Sequence, residues 1–411
     1  MRLRQVFRSR SGASGNEAVD TASVDTAPPG SEPTGSDPVA EADALEAEGR
    51  LVEAVDVLAA HNRRHPDHDL EQRLIDLRHR AGASVRTPRD VGQWPPAYPD
   101  PFPGLRGEIP EVAAGELTTE LLGGAVVHHG ALLVRGAFAD DQVARLVDAI
   151  ETTHQNLPQA PDAEPEPSAW YRPFPTSYHD NVLRRMVARQ GGTWLGDSPA
   201  STEIVLGELE AAGITSAIAG HLGERPVFSL QKSTLRRSLP TYNLVAWHQD
   251  GSFFDRDVRT MNVWVALSPC GGDYPSPGLE VLPARLDILP VDGVMTKHSV
   301  SYDLVAELAE ETPLVIRAEP GDALLFDEHL LHRTHLTESM SEIRYALECW
   351  FFAPSNITSD YLPSWPSHRA RLGRHWGIGQ VRYVHACPNH RGGRPPPGPA
   401  SHRKPEDLWD S

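Results

Sequence analysis

Short segments with the composition of β-strands fill the second half of the chain, and turn signals separate them. They are residues 241–254, residues 259–268, residues 323–326 after the turn Glu319-Pro-Gly-Asp322, and residues 343–352. β-branched and aromatic residues favour strands, whereas Gly, Pro and Asp favour the turns between them. The pattern predicts that this half of the chain forms a β-rich domain.

A His248-Gln249-Asp250 motif lies inside the first of these segments. Side chains alternate between the two faces of a strand, so His248 and Asp250 are expected to point the same way and to hold one metal ion. A third ligand must come from elsewhere. Two imidazoles and one carboxylate on one face of an octahedral ion leave other positions open, as in non-haem Fe(II) oxygenases. The motif therefore indicates a candidate iron site.

The chain resembles the phytanoyl-CoA dioxygenase family of Fe(II)/2-oxoglutarate oxygenases over residues 118–355. The resemblance rests on His248-x-Asp250, Asn262-x-Trp264-x-Ala-Leu, Pro277-Gly-Leu-Glu-Val-Leu-Pro283, Pro320-Gly-Asp322, His332 and Arg344. Residues 130–147 also look like the start of such a domain. One departure is Ala284-Arg285-Leu286, where many members carry Gly-Ser-His. The loop on the substrate side is therefore expected to differ.

The resemblance implies a mainly β fold with helices, whose core is a double-stranded β-helix, a cupin-like jelly roll. It also implies that His248, Asp250 and His332 hold Fe(II) and that 2-oxoglutarate chelates the metal, with O2 taking the remaining position. Arg344 would bind the far carboxylate of 2-oxoglutarate, because a guanidinium group matches a carboxylate in two places. Thr334 stands where a hydroxyl commonly assists that contact.

Three further residues face the same interior. Asn262 and Trp264 lie on one face of their strand and are assigned to the cofactor pocket, although Trp264 is equally consistent with barrel core. Glu348 shares the inner face of the last strand with Arg344. Because acids are seldom buried without a partner, either Glu348 pairs with a cation in the site or the strand phase is wrong.

His329, His332 and His335 compete for the role of third ligand. We choose His332 because the Thr334 and Arg344 that follow it fit the family pattern. The group His385-Ala-Cys387-Pro-Asn-His390 lacks the paired ligands from two elements that a structural zinc site requires. We expect it to be part of a tail.

Composition agrees with a cytoplasmic enzyme. Only three cysteines are present, at widely spaced positions, so no disulfide framework is expected. No apolar run is long enough to cross a membrane, and the basic first residues lack the apolar segment of a secretory signal.

The segments outside the barrel differ in character. Residues 1–39 are predicted to be disordered because their Ser, Gly, Pro and acidic residues cannot bury enough surface. Residues 40–84 suggest two antiparallel helices, like a single tetratricopeptide unit, and residues 85–117 a proline-rich connector. We expect the helical hairpin to pack on the barrel or self-associate, in preference to binding a peptide. The oxygenase domain is placed at residues 118–358 and a basic, proline-rich tail at residues 359–411.

The formal net charge of −18 is uneven, because residues 361–405 contain Arg and Lys and no acid. This tail is expected to be solvated, and the alternative is that it steers an anionic or carrier-bound substrate toward the site. No base-stacking module accompanies the charge, which argues against nucleic-acid binding.

These features predict a 2-oxoglutarate-dependent hydroxylase that acts on a small-molecule or carrier-bound substrate. Halogenation is disfavoured, because a halide would need the position that Asp250 fills. Two alternatives stay open: a non-catalytic interaction protein with a degenerate barrel, and a cupin-like metal enzyme that uses no keto acid. Arg344 discriminates between them, since neither alternative requires a cation there. The substrate is expected to be set by loops at residues 160–178 and 268–278.

Overall fold

The structure is a computed structural model that describes residues 37–85, 93–158, 168–173, 178–230, 232–241, 246–253, 258–291, 299–308 and 312–356. The α-helices are α1 (Pro38–Ala47), α2 (Leu51–Arg64), α3 (His68–Ser84), α4 (Thr119–His129), α5 (Asp140–Gln155), α6 (Tyr178–Arg189), α7 (Pro199–Ala211), α8 (Ile214–Leu222) and α9 (Tyr302–Leu308). The strands are β1 (Glu111–Ala113), β2 (Ala131–Arg135), β3 (Gly192–Trp194), β4 (Val227–Phe228), β5 (Thr234–Ser238), β6 (Thr260–Ala266), β7 (Gly278–Arg285), β8 (Leu314–Ile316), β9 (Ala323–Phe326), β10 (Leu330–His335) and β11 (Arg344–Phe352).

A large sheet and a small sheet form the core of the fold. The strand order of the large sheet is β1-β2-β9-β6-β11-β5-β3, with β4 paired to the end of β11. The small sheet has the order β10-β7-β8. Apart from the parallel pair β1 and β2, the strand pairs are antiparallel. This two-sheet, jelly-roll-like core agrees with the predicted fold class.

Alternation along β6 separates the two hydrophobic layers of the molecule. Met261, Val263 and Val265 pack with the helices on the outer face of the large sheet. Trp264 and Ala266 point the other way and share a cluster with residues of the small sheet. All residues of β6 are buried, because both faces of this central strand are covered. The site residues discussed below lie on the inner face, between the sheets.

The predicted strand at residues 241–254 does not form within its described part. His248 makes an isolated β-bridge with His332, and a 3-10 helix begins at Asp250 and ends at Phe253. Residues 242–245 lie outside the described part of the chain. The reasoning that a strand would align His248 and Asp250 was therefore wrong. A bridge followed by a helical turn places the two side chains instead.

The N-terminal region contains three helices where the sequence predicted two. A left-handed glycine, Gly49 with φ of +76°, separates α1 from α2. Only glycine adopts this conformation without strain, so the chain turns after Ala47 in place of continuing one long helix. The second break, between α2 and α3, contains Pro66.

The three helices pack on the rest of the fold. Packing on the barrel was one of the two arrangements expected for this region, and self-association was the other. Helix α3 contacts α7, and the guanidinium of Arg78 donates two hydrogen bonds of 2.9 Å to the carboxylate of Glu203. Ile75 of α3 belongs to the main hydrophobic cluster. The aromatic connector also packs inward, since Tyr98 stacks on the buried His221 of α8. Among the helices that the structure describes, none is long and apolar enough to cross a membrane.

Candidate metal centre

His248, Asp250 and His332 come together between the two sheets. One ligand atom from each residue lies within 4.8 Å of the others. The distance between His248 Nε2 and Asp250 Oδ1 is 3.8 Å, and the two imidazole centroids are 4.3 Å apart. Asp250 is 3% exposed and His332 8% exposed. Two nitrogen donors and one oxygen donor thus surround a single point in a largely buried site.

Backbone hydrogen bonds hold the two histidines side by side. The His248 amide donates to the His332 carbonyl, the His332 amide donates to the His248 carbonyl, and both distances are 3.0 Å. His332 lies on β10, whose pairing with β7 shifts register between Leu330 and His332. This irregularity lies next to the point where β10 accepts the His248 segment as a second neighbour.

Each imidazole is oriented by a carbonyl two residues earlier in the chain. His248 Nδ1 lies 3.0 Å from the Ala246 carbonyl, and His332 Nδ1 lies 3.0 Å from the Leu330 carbonyl. A carbonyl oxygen only accepts, so Nδ1 carries the proton in both rings and Nε2 keeps its lone pair. Burial lowers the pKa of His248 to about 4, with His332 acting in the same direction, and burial also lowers the pKa of His332. Both rings are therefore neutral ligands near pH 7.

Asp250 is held by a strand residue that the sequence assigned to the cofactor pocket. The side-chain amide of Asn262 on β6 donates to Asp250 Oδ2. The remaining oxygen, Oδ1, faces His248. Burial raises the pKa of Asp250 to about 6 in the metal-free protein, so the carboxylate gains from a nearby cation. Asn262 thus contacts a candidate metal ligand and orients its carboxylate.

Gln249, between the two ligands, anchors the motif to the surrounding loops. Its Nε2 donates to the carbonyls of His329, Asp287 and Leu286 at 2.8, 3.2 and 3.3 Å, and its Oε1 accepts from the Leu289 amide at 2.8 Å. Gln249 is fully buried. Sequence reasoning missed this residue, because the middle residue of an H-x-D motif on a strand would point away from the metal.

The rival histidines His329 and His335 are engaged elsewhere. His329 Nδ1 lies 2.7 Å from the Leu286 carbonyl, and its Nε2 lies 3.7 Å from Glu328. His335 lies 3.7 Å from Glu280, near the end of β10. The metal-type cluster within the described residues contains His332 and neither rival. The group from His385 to His390 lies outside the described residues.

Arg344, the first residue of β11, is a buried cation. It is 3% exposed, and its guanidinium donates to the Gly278 carbonyl at 3.2 Å and to Ser238 Oγ at 3.3 Å. Its Nε has no hydrogen-bond partner among the described residues. The guanidinium carbon lies 5.8 Å from the ring centroid of Trp264. Burial lowers the pKa of Arg344, although the Glu348 carboxylate acts in the opposite direction.

A cavity opens beside Arg344 and is lined mainly by polar side chains. The lining residues are Gln190, Arg236, Ser238, Leu239, Pro277, Thr334, Leu336, Arg344 and Glu348. Thr334 therefore lines the same cavity as Arg344. Trp264 is 3% exposed and belongs to the inner hydrophobic cluster, so its role as barrel core is supported.

Glu348 has the cationic partner that its inward position required. Its Oε2 accepts from Arg236 Nη2 at 2.7 Å and from Thr234 Oγ1 at 2.9 Å. Burial acts to raise the pKa of Glu348, but the charges of Arg236 and Arg344 and the two hydrogen bonds outweigh it and hold the pKa below its usual value. The predicted strand phase is therefore right. Arg236 was not recognised, although strict alternation along β5 places Thr234, Arg236 and Ser238 on one face.

The loop at residues 268–278, predicted to take part in substrate selection, packs against the sheet ends. The backbone of Cys270 forms an isolated β-bridge with that of Ala318, and Tyr274 Oη donates to Glu319 at 2.5 Å. Pro277 lines the cavity and Gly278 accepts from Arg344. Of the other predicted loop, residues 159–167 and 174–177 lie outside the described part of the chain.

The donor set fits a divalent iron. Two neutral imidazoles and one carboxylate on one side of a point are the ligands of the facial triad, and such a site leaves other coordination positions to exogenous oxygen ligands. The buried cation at Arg344 stands on the same inner face and is suited to a carboxylate. The arrangement can therefore hold a metal ion and a carboxylate-bearing co-substrate together.

Comparison with known proteins agrees with this chemistry. Residues 126–344, more than half of the chain, match the phytanoyl-CoA dioxygenase (PhyH) family. The match confirms the family resemblance inferred from the sequence motifs. A comparison with curated proteins found no match.

The solved structures that this chain matches are distant in sequence. AviO1 from Streptomyces viridochromogenes Tue57 is 15% identical, with a TM-score of 0.38 and coverage of 57% of this chain and 94% of AviO1. The non-heme alpha ketoglutarate dependent carbocyclase SnoK from nogalamycin biosynthesis is 13% identical, with a TM-score of 0.39 and coverage of 59% and 86%. EctD from S. alaskensis, solved with 2-oxoglutarate and 5-hydroxyectoine, is 16% identical, with a TM-score of 0.37 and coverage of 66% and 84%. These identities are too low to transfer an activity.

Proposed function

The chain belongs to the phytanoyl-CoA dioxygenase family, and we propose that it is an Fe(II)- and 2-oxoglutarate-dependent oxygenase that hydroxylates a small organic substrate. Succinate and CO2 are the expected co-products. Fe(II) and 2-oxoglutarate are the cofactors that the family and the His248-Asp250-His332 triad indicate.

The observation that carries the proposal is the buried charge of Arg344, which has no carboxylate among its hydrogen-bond acceptors. The Glu348 carboxylate acts on this charge only from a distance, because it is hydrogen-bonded to Arg236. A buried charge without an opposite charge is costly, and a guanidinium retains its charge even in a dry site. Its hydrogen bonds go to a carbonyl and a hydroxyl, both neutral acceptors. A carboxylate from a bound co-substrate would supply the directly bonded negative charge that Arg344 lacks, and Thr334 faces the same cavity. This supports 2-oxoglutarate as the molecule that Arg344 binds.

Different residues would bind the metal, orient its ligands and exclude water. His248, Asp250 and His332 would hold the iron, which when bound supplies the activation of O2 coupled to oxidative decarboxylation of 2-oxoglutarate. The carbonyls of Ala246 and Leu330 fix the imidazole tautomers, and Asn262 fixes the carboxylate. The inner cluster around Trp264 and Ala266 excludes water from the space between the sheets.

The alternatives are less well supported. A cupin-like enzyme without a keto acid gives no reason to bury a cation at Arg344, and a degenerate scaffold gives no reason to keep both imidazoles oriented with Nε2 toward the ligand point. Halogenation requires a halide in the carboxylate position, which Asp250 occupies. The oriented triad and the buried cation together favour the oxygenase.

Anaerobic titration tests the proposal directly. Fe(II) is added to the metal-free protein, followed by 2-oxoglutarate, and the visible metal-to-ligand charge-transfer band is recorded. Admission of O2 should then yield succinate at a slow rate without substrate. A protein that binds Fe(II) but gives no band with 2-oxoglutarate would revive the cupin-like alternative.

A further inference from the structure

Glu348 lies deep in the inner face of the large sheet and yet retains contact with open space. Its neighbours on the strand, Leu347 and Cys349, are fully buried, and Trp264 opposite it on β6 is 3% exposed. The Glu348 side chain keeps 28% of its surface accessible, and it lines the cavity beside Arg344. The accessible surface of this carboxylate therefore faces the interior cavity.

The partners of Glu348 occupy one of its two oxygens. Arg236 and Thr234 both donate to Oε2. A carboxylate has about four acceptor positions and carries no donor of its own. Oε1 is therefore an acceptor that the neighbouring strand does not satisfy.

Gly192 on β3 leaves room beside the Arg236 guanidinium. A Cβ added there would lie 2.8 Å from Arg236 Nη1 and 2.8 Å from a methyl group of Val187. Arg236 stands opposite Gly192 in the pairing of β3 with β5. Its side chain is 14% exposed, and its charge fixes Glu348 as a carboxylate. The acid is therefore a built and charged feature of the interior.

Strand register places Glu348 between the co-substrate anchor and the metal ligands. On β11, Arg344 stands four residues before it, and Trp350, two residues after it, pairs with Asn262 on β6. Asn262 donates to Asp250. Diagonal neighbours on one face of a sheet are about 7–8 Å apart, so the Glu348 carboxylate is within reach of a molecule that contacts the metal site.

Resting on the proposed function, we propose that Glu348 is the substrate-recognition residue and that its Oε1 accepts a hydrogen bond from a hydroxyl or amine of the substrate. The substrate class is then a polar small molecule that carries such a donor near the oxidised carbon. An apolar acyl chain would leave the carboxylate unsatisfied and is rejected for that reason.

The test uses three molecules with one carbon frame: cyclohexanol, cyclohexylammonium and cyclohexanecarboxylate. Each is added to the anaerobic full-length protein loaded with Fe(II) and 2-oxoglutarate, and the shift of the visible band is titrated. The alcohol and the ammonium should shift the band at concentrations at least about tenfold lower than the carboxylate. Wild-type protein alone thus tests the preference for donors.

Two variants test whether Glu348 causes this preference. Glu348→Gln retains a neutral acceptor, so binding of the ammonium should weaken by at least about tenfold and binding of the alcohol by less. Glu280→Gln is the matched control, because Glu280 pairs with Arg333 at 2.7 Å on the small sheet and does not line the cavity. This control should leave both titrations as in the wild type.

The outcomes distinguish the two proposals. If wild-type protein forms no band with 2-oxoglutarate, the proposed function fails. If the band forms but the carboxylate binds as well as the donors, or neither donor binds, the role of Glu348 is overturned and the oxygenase stands. Equal donor binding in wild type and Glu348→Gln overturns it as well.

Discussion

His248 and His332 exchange both of their backbone hydrogen bonds, at 3.0 Å each, although they lie far apart in the chain. The separation of the two imidazoles is therefore set by the backbone and does not depend on the metal. A site of this kind is pre-organised, because the ligands need little rearrangement when the ion binds. Substitution of a side chain at either position should remove a ligand while the bridge remains.

The choice of third ligand can be tested with paired variants. His332→Ala should abolish the charge-transfer band with Fe(II) and 2-oxoglutarate, because it removes one of three protein ligands. His329→Ala should retain the band, since His329 contacts the Leu286 carbonyl and Glu328. The opposite pattern would show that the ligand assignment is wrong.

The contact of Asn262 with Asp250 predicts a loss of metal affinity. Asn262→Ala removes the donor that orients the carboxylate, and loss of such outer contacts typically weakens metal binding by about 10- to 100-fold. The Kd for Fe(II), or for Mn(II) as a stable substitute, measures the effect. Unfolding by urea should be followed in parallel, and an unchanged Kd in a folded variant would contradict the orienting role.

Arg344→Lys should raise the KM for 2-oxoglutarate by at least about tenfold, because a single ammonium cannot reproduce a two-pronged contact with a carboxylate. Iron binding should survive, as Arg344 is not a ligand. Arg333→Lys is the control, since that guanidinium pairs with Glu280 outside the cavity. Equal KM values in wild type and Arg344→Lys would remove the anchor role.

Two ion pairs that attach the N-terminal helices to the barrel should contribute very differently to the free energy of unfolding. Arg78 and Glu203 have side chains that are 12% and 4% exposed, whereas those of Arg225 and Asp56 are 60% and 53% exposed. Arg78→Met leaves a buried carboxylate unpaired and should lower the free energy of unfolding by about 3 kcal/mol. Arg225→Met should cost less than about 1 kcal/mol. Urea unfolding compares them, and similar losses would argue against a structural role for the α3–α7 contact.

The buried carboxyl group of Glu328 should make the stability of the fold depend on pH. Burial raises the pKa of its carboxyl from 4.5 to about 8, and Asp327 acts in the same direction. The folded state then holds a proton that the unfolded chain has released, so this contribution to stability is full below about pH 4.5 and is lost as the pH rises toward 8. Glu328→Gln should flatten the fall in Tm between about pH 5 and pH 8. Parallel curves for wild type and variant would refute this.

The strands that carry the site were predictable because their residues alternate or are buried on both faces. β6, β9 and β11 lie where composition and turn signals placed them, and the inward phase of Arg344 and Glu348 followed from alternation alone. His332 was separable from His329 and His335 only through the family pattern, since spacing cannot tell which of three nearby imidazoles faces inward.

Features of the site that the sequence did not predict depend on contacts between residues far apart in the chain. The conformation at His248-Asp250 depends on a bridge to β10 and on the bonds of Gln249 to loops near residues 286–289 and 329, none of which is local in sequence. Likewise, the pairing of Arg236 with Glu348 arises from the register of β5 against β11. The break at Gly49 could have been found locally, because glycine is the residue that ends helices most readily.

Arg344 and Glu348 stand on one strand, four residues apart, so their Cα atoms are separated by about 13 Å whatever molecule is bound. Fully buried Ala346 lies between them on the same face. With 2-oxoglutarate on Arg344 and the substrate on Glu348, as proposed, this spacing is fixed, and differences in substrate size are accommodated away from this strand. A search for substrates can then rank candidates by the number of bonds between a hydroxyl or amine and an oxidisable C–H.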